Sequence, residues 1–165
     1  MLKAIKEAQK PINATVLGEA VGVSRQIIVG DVALLRCQGH EIMATVRGYT
    51  MSNAADVVGF RCKIACKHDP QDTKEELYTI VDLGATVVDV IVFHAVYGDI
   101  TGQLDIKTRE DVDTFLNKLN YNKVKLLSEL SNGVHLHSII AKDKEHFEEV
   151  RGALRKKGYL MNESS

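Results

Sequence analysis

A short run of small and polar residues, Met51-Ser52-Asn53-Ala54-Ala55, has no apolar period and separates two differently patterned segments. Before it, three helix-spaced stretches are followed by two short strand-like runs. After it, strands and helices alternate to the end of the chain. A sequence divided in this way predicts two small units, 1–51 and 57–160, rather than one continuous core. At 165 residues there is enough chain to bury both. No internal repeat or low-complexity tract interrupts the division.

In the first segment Leu2, Ile5 and Ala8 fall at three-residue spacing and suggest a short helix, which Pro11-Ile12-Asn13 ends. A second helix runs through Thr15, Val16, Leu17 and Ala20, and Val21-Gly22-Val23 makes a tight turn. Ser24 is a good N-cap for a third helix, whose buried stripe is Ile28, Val32 and Leu35. Gly39 stops that helix. Glu41 to Val46 reads as a strand, Arg47-Gly48 as a turn and Tyr49-Thr50-Met51 as a return strand. Three helices followed by a hairpin is the order of a winged helix-turn-helix. Such a module points the first residues of its third helix at base edges. Here these are Ser24, Arg25 and Gln26, with Arg36 farther along the helix and Arg47 at the wing. Double-stranded DNA is the partner this arrangement implies.

The second segment reads β-α-β-β-α-β-α. Phe60 to Cys66 alternates as a strand and ends at His68. Asp72-Thr73-Lys74-Glu75 has the spacing of a capping box and opens a helix with Leu77, Ile80, Val81 and Gly84 on its buried face. Thr86 to Phe93 and Ile100 to Ile106 follow as strands. Thr108 caps a helix with Val112, Phe115, Leu116 and Leu119 inward. Val134 to Ile140 is the last strand, and Lys144 to Lys157 an amphipathic helix through Phe147, Val150 and Leu154. This order favours a mostly antiparallel sheet with helices on one face, and the whole chain is of the α+β class.

Composition excludes several alternatives. A hydrophobic fraction of 45% beside 26% charged residues rules out a disordered or fibrous chain. No apolar run approaches the length needed to span a bilayer. Met1 to Lys10 lacks the apolar core of a secretion signal. The three cysteines, Cys37, Cys62 and Cys66, are an odd count without a CxxC pair, which points to reduced thiols and a cytoplasmic location. The net charge of −1 is uneven, +2 over residues 1–50 and −3 over the rest, as suits a nucleic-acid module joined to a ligand module.

Histidines carry the chemistry of the second segment. On a strand, His135-Leu136-His137 points two imidazoles to one face and Val134 and Leu136 to the other, so two nitrogen donors stand side by side. A bare His-x-His is compatible with a transition metal but also with ordinary strand packing. His68, leaving its strand, and Glu76, on the following helix, would complete a three-histidine, one-carboxylate set. The alternative makes both exposed polar residues at a helix start. If Glu75 turns back to the Asp72 amide as the capping box requires, Glu76 is the free carboxylate. Such a set fits a divalent transition metal, Zn, Ni or Fe, with one or two open positions.

Taken together, Ser24-Arg25-Gln26 to Leu34-Leu35-Arg36 and Arg47-Gly48-Tyr49 resemble the helix-turn-helix of the niacin-responsive repressors of NAD biosynthesis genes. Lys67-His68, Glu75-Glu76-Leu77-Tyr78, Val88-Asp89-Val90, His94-Ala95-Val96-Tyr97-Gly98, Gly102-Gln103-Leu104 and Gly133-Val134-His135-Leu136-His137 resemble the three-histidine domain of the same family. The resemblance spans almost the whole chain. It implies a dimeric repressor with nicotinic acid as corepressor, a metal held by His68, Glu76, His135 and His137, and a second domain similar to the open-faced sandwich of the histidine phosphocarrier proteins.

The chain departs from that family in three places. It begins inside what should be the first helix. Gly30 replaces a longer polar residue on the third helix, at a cost of roughly 1 kcal/mol of helix preference. Ala95 stands where a proline often follows the strand histidine. His94 can complete the metal shell, bond the effector while Tyr97 stacks on a pyridine ring, or bond its own backbone. Arg61 and Lys63 are both candidate partners for an effector carboxylate, and His40 and His146 read as solvated. Two rival classes share these residues, a repressor that senses the metal itself and a metal-dependent hydrolase. No second acid or nucleophile stands at a motif position, so an enzyme is not expected.

Overall fold

In the computed structural model, which describes residues 1–52 and 58–161, the chain divides into two compact units, 1–57 and 58–165. Of the residues expected to link them, Met51 ends a strand, and the Ser52 amide donates to the Glu41 carbonyl at 2.7 Å. Residues 53–57 lie outside the described residues.

The N-terminal unit comprises α1 (Leu2–Glu7), α2 (Ala14–Val21), α3 (Arg25–Cys37), β1 (Ile42–Thr45) and β2 (Gly48–Met51). Two side-chain caps set the helix starts. Asn13 Oδ1 accepts the Thr15 amide at 2.8 Å, and Ser24 Oγ accepts the Ile27 amide at 3.3 Å. Between α2 and α3, Gly22 takes a left-handed conformation that closes the turn. Ile5, Leu17, Ile28, Val32 and Ile42 form the core, each of the larger ones worth about 1.5–3 kcal/mol when fully buried.

The hairpin is one residue out of step with the sequence expectation. Thr45 pairs with Gly48, so Val46-Arg47 is the turn and Gly48 begins β2. Gly48 has φ +136°, and a Cβ there would lie 2.3 Å from the Ile12 carbonyl oxygen. That close approach lets Ile12 and Tyr49 exchange both backbone hydrogen bonds, at 2.8 and 2.9 Å, which sews the α1–α2 connection to the wing. We expect Gly48→Ala to cost the N-terminal unit about 1–3 kcal/mol, read as a lower denaturant midpoint of that unit. An unchanged midpoint would show that wing and helices are not locked through Ile12.

The second unit holds β3 (Phe60–Lys67), α4 (Thr73–Asp82), β4 (Thr86–His94), β5 (Gly98–Ile106), α5 (Arg109–Asn122), β6 (Val134–Ala141) and α6 (Lys144–Lys156). The strands form one antiparallel sheet in the order β3-β6-β4-β5. One face is buried, with Ile64, Cys66, Val87, Ile139 and Ala141 inward. On the other face Arg61, Lys63 and Lys67 are exposed and Leu136 and Ile140 half-buried, the pattern of a sandwich open on one side. Together the units make an α+β protein. None of the described helices is long and apolar enough to cross a membrane.

The start of α4 departs from its expected cap. Pro70–Asp72 forms a 3₁₀ turn in which the Asp72 amide already donates to the Asp69 carbonyl at 3.0 Å. Asp72 is therefore helical, with φ −86° and ψ −7°, and its side chain makes no cap bond. With that amide taken, Glu75 pairs with Lys157 at the end of α6 instead. Gly84 is likewise not on the buried face; it follows the helix end with φ +83°. His146 is not free in solvent, since its ring joins the Lys142 amide to the Leu83 carbonyl and fastens α6 to the end of α4.

Candidate functional site

Four side chains from three places in the second unit meet under the helices. β6 points His135 and His137 to the buried face by its two-residue period, at 2% and 3% exposure. His68 follows β3 immediately, and Gly133 lets the two chains come close enough to bring it in. A Cβ on Gly133 would lie 2.5 Å from the His68 carbonyl oxygen. Glu76, at 0% exposure, comes down from α4 into the middle. Its Oε2 meets His68 Nε2 and lies 3.0 Å from His135 Nε2, and its Oε1 lies 2.8 Å from His137 Nε2. The expected set, His68, Glu76, His135 and His137, is thus brought together.

The other nitrogen of each ring is already occupied. His68 Nδ1 faces the Asp69 carbonyl at 2.9 Å, His135 Nδ1 the Gly133 carbonyl at 2.8 Å and His137 Nδ1 the Asp89 carbonyl at 2.8 Å. A carbonyl only accepts, so every Nδ1 carries the proton and every neutral ring turns its Nε2 lone pair toward Glu76. Three lone pairs around a carboxylate repel unless positive charge lies among them. That charge is either protons on the rings or one cation. The spacings of 2.8–3.4 Å from His135 and His137 Nε2 to the carboxylate oxygens also approach those of donors that share an ion at about 2.0–2.2 Å, which stand roughly 3–3.4 Å apart. Backbone carbonyls that fix the tautomer of ligating histidines are the usual second layer of such a centre. The residues therefore fit a divalent transition metal.

Asp89 is the residue that positions His137. The register between β4 and β6 shifts by one between Val87 and Ile91, and Asp89 lies in that bulge. Its carbonyl takes His137 Nδ1, and its carboxylate takes the Ser138 amide at 3.0 Å, a donor the bulge would otherwise leave buried and unpaired. Only the motif Val88-Asp89-Val90 hinted at it in the sequence. Cys66 was also missed. It lies opposite His135 in the β3–β6 register at 0% exposure, and its sulfur, a Glu76 oxygen and a His135 nitrogen all lie within 4.8 Å of one another.

The remaining expected residues fall elsewhere. His94 ends β4 and its Nδ1 accepts the amides of Val96 and Tyr97 at 3.1 and 3.3 Å, while its ring lies 5.0 Å from that of Tyr97. Neutral His94 therefore bears its proton on Nε2 and presents a donor, not a lone pair for a metal. Arg61 does not join these two. It lies six residues from Lys67 along β3, roughly 20 Å from the histidine end of the sheet. In the N-terminal unit Arg25 and Gln26 are exposed at the start of α3, beside the Ser24 cap. Arg36 is partly engaged, since its Nε donates to the Ile42 carbonyl at 2.8 Å and ties α3 to β1. Arg47 is half-buried in the wing turn, its amide on Thr45 Oγ1 at 3.1 Å.

A helix-turn-helix with an exposed polar start to its third helix, joined to a domain with a buried histidine–carboxylate cluster, defines a DNA-binding regulator. Residues 1–50 match an HTH domain and residues 61–163 match the 3H domain. Among similar proteins, the probable transcription repressor NiaR of Thermotoga maritima is 41% identical over 163 residues, covering 99% of this chain and 92% of that protein. The transcription repressor NadR of Bacillus subtilis is 39% identical over 165 residues, with the same coverage of both. The chain belongs to this family of transcription repressors, the family to which the blocks around Ser24-Arg25-Gln26 and His135-Leu136-His137 pointed. It is a family of DNA-binding repressors and not of enzymes.

The electrostatics of the cluster set its pH dependence. Burial opposes the imidazolium forms of His68 and His137, but the hydrogen bond and charge of Glu76 outweigh it and hold both above the ordinary 6.5. Burial likewise opposes ionised Glu76, yet the charge of His137 and the bonds from all three rings hold it well below 4.5. A raised histidine stabilises fully below 6.5 and loses that contribution as pH rises through its folded value; a depressed carboxyl stabilises above 4.5 until pH falls through its own. Metal-free protein is thus expected to be most stable between 4.5 and 6.5 and to weaken on the alkaline side of that window. Denaturant midpoints across a pH series would show it, and a midpoint flat or rising above 6.5 would contradict it.

Proposed function

We propose that this repressor acts on genes of NAD biosynthesis or niacin uptake, with nicotinic acid as corepressor and a divalent transition metal built into its second domain. The observation that carries the reading is the convergence of three Nε2 atoms on buried Glu76 with every Nδ1 held by a backbone carbonyl. His68, Glu76, His135 and His137 would hold the metal. When bound, it would supply a Lewis-acid position able to accept a carboxylate or pyridine nitrogen. His94, through its Nε2–H, and Tyr97, through its ring, are the proposed effector contacts. A cleft of about 440 Å³ lies beside His68, lined also by Lys67, Asn132 and Tyr159.

On the DNA side, Ser24, Arg25 and Gln26 are proposed to meet the major groove, and Arg47 the backbone or minor groove at the wing. The protein would bind a palindromic site as a homodimer. Each good bidentate base contact is worth about 1–3 kcal/mol of discrimination, so Arg25 and Gln26 suffice to set a preference without Gly30 adding to it. The cytoplasm is the location that suits such a protein.

Loss of His135 as a donor tests the metal. His135→Ala protein is expected to bind metal at least tenfold more weakly, measured by competition with a chelator, and a full complement at wild-type affinity would remove this residue from the centre. Protons and metal compete for the same nitrogens, so wild-type affinity should rise with pH.

The effector is tested by titrating operator DNA with metal alone and then with nicotinic acid. Nicotinate should tighten DNA binding in metal-loaded protein, and operator should tighten nicotinate binding by the same factor, because the coupling is reciprocal. If metal alone produces the whole gain, the protein senses the metal. If nicotinate affinity is equal with and without operator, nicotinic acid is no corepressor.

A further inference from the structure

From the strand register we infer that Cys66 is a fifth donor to the metal centre, binding as a thiolate, an inference that rests on the metal reading above. In the antiparallel β3–β6 pair, residues directly opposite share a face, with Cβ atoms about 4.5–5.5 Å apart. Cys66 stands opposite His135 and Ile64 opposite His137. The two strands therefore offer the centre four positions, of which three can donate to a metal. Sulfur, carboxylate oxygen and imidazole nitrogen from Cys66, Glu76 and His135 are mutually within 4.8 Å, a set that could share one ion, and Glu76 joins it to His68 and His137. The sulfur is shut off from solvent, with Cys66 at 0% exposure.

Charge gives the second argument. A divalent ion held by three neutral imidazoles and one carboxylate keeps a net charge of +1. The ligating side chains are at most 4% exposed, so this charge would be buried with little water to offset it. Asp89, the other buried carboxylate beside the cluster, is turned to the Ser138 amide. Cys66 is a buried neighbour of Glu76 and His135 that can bring a second negative charge to the ion directly. Coordination replaces the S–H bond with a sulfur–metal bond and releases one proton to solvent, with no change in oxidation state. The resulting centre has three nitrogens, one oxygen and one sulfur, and is electrically neutral. Its softness favours zinc, nickel, cobalt or iron(II) over magnesium, calcium or manganese. The other two cysteines lack this placement. Cys37 is exposed on α3 of the N-terminal unit, and Cys62 lies four residues back along β3, opposite Ile139.

Cobalt(II) is the probe, because thiolate ligation gives it a near-ultraviolet charge-transfer absorption that nitrogen and oxygen donors do not. Full-length, reduced, metal-stripped protein is loaded with cobalt(II) and examined by absorption and by X-ray absorption at the cobalt edge. The expected result is one cobalt per chain, the charge-transfer band, and a sulfur neighbour at about 2.3 Å. Cys66→Ser should lose band and sulfur neighbour and bind cobalt more weakly by roughly tenfold or more, whereas Cys37→Ser and Cys62→Ser keep both. One cobalt per chain with no sulfur neighbour overturns the thiolate and leaves the metal centre standing. No bound cobalt overturns both. A band that survives in Cys66→Ser also overturns the assignment. Because the X-ray absorption result comes from the unmutated chain, a Cys66→Ser protein that fails to fold does not block the decision.

Discussion

The second unit is organised around one requirement, that the ionised carboxylate of Glu76 be buried with compensating charge beside it. An unpaired carboxylate in such a place would cost several kcal/mol, far more than any one packing contact returns. The fold meets the requirement by bringing three imidazole edges to it from two neighbouring strands. Each neighbouring irregularity serves that end. The bulge at Asp89 turns a carbonyl to His137, the left-handed Gly133 brings β6 against His68, and the 3₁₀ turn at Pro70 leads into α4, which carries Glu76. In each case a local departure from ideal geometry supports the site, which is where bulges and strained backbone tend to concentrate.

The N-terminal unit is built on the opposite principle. Its interior is apolar, with Ile5, Leu17, Ile28, Val32 and Ile42 closing over one another and no buried charge among its core residues. Polar groups are used at the margins, where Asn13 and Ser24 start helices and Arg36 fastens α3 to the wing strand. The residues proposed to meet DNA are ones that the apolar core does not use. Arg25, Gln26 and Arg36 are all exposed, and of the three Arg36 also has a fold contact, its Nε on the Ile42 carbonyl.

Periodicity made most of this legible. Period two alone puts His135 and His137 on one face, and the Ser24 cap with Ile28 and Val32 four apart locates the third helix. The misses share a cause, since each depends on tertiary geometry. The Asp72 capping box has the right residues at the right spacing, but Pro70 commits the Asp72 amide to a tighter turn first. Arg61 is a plausible cation for an effector until the topology places it at the far end of an edge strand from His94. Cys66 could be counted in the sequence but not seen beside His135, because the pairing of β3 with β6 spans some seventy residues and has no local signal.

The charge of the proposed metal centre bears on how an aromatic acid would bind there. With Glu76 as its only anion the centre would be cationic, and the carboxylate of nicotinic acid would be the end drawn to it. With Cys66 as a second anion the centre is neutral, and that attraction disappears. The ring nitrogen, a neutral donor like the three imidazoles, then becomes the better ligand. The carboxylate would turn outward, toward donors such as the Lys67 ammonium, which lines the cleft beside His68. Acids that lack a ring nitrogen would lose their anchor in that case, while amides that keep it would lose only the outer contacts. On the proposed reading, discrimination between a pyridine acid, its amide and a plain aromatic acid would be decided within the centre itself, by whether the sulfur opposite His135 carries a proton.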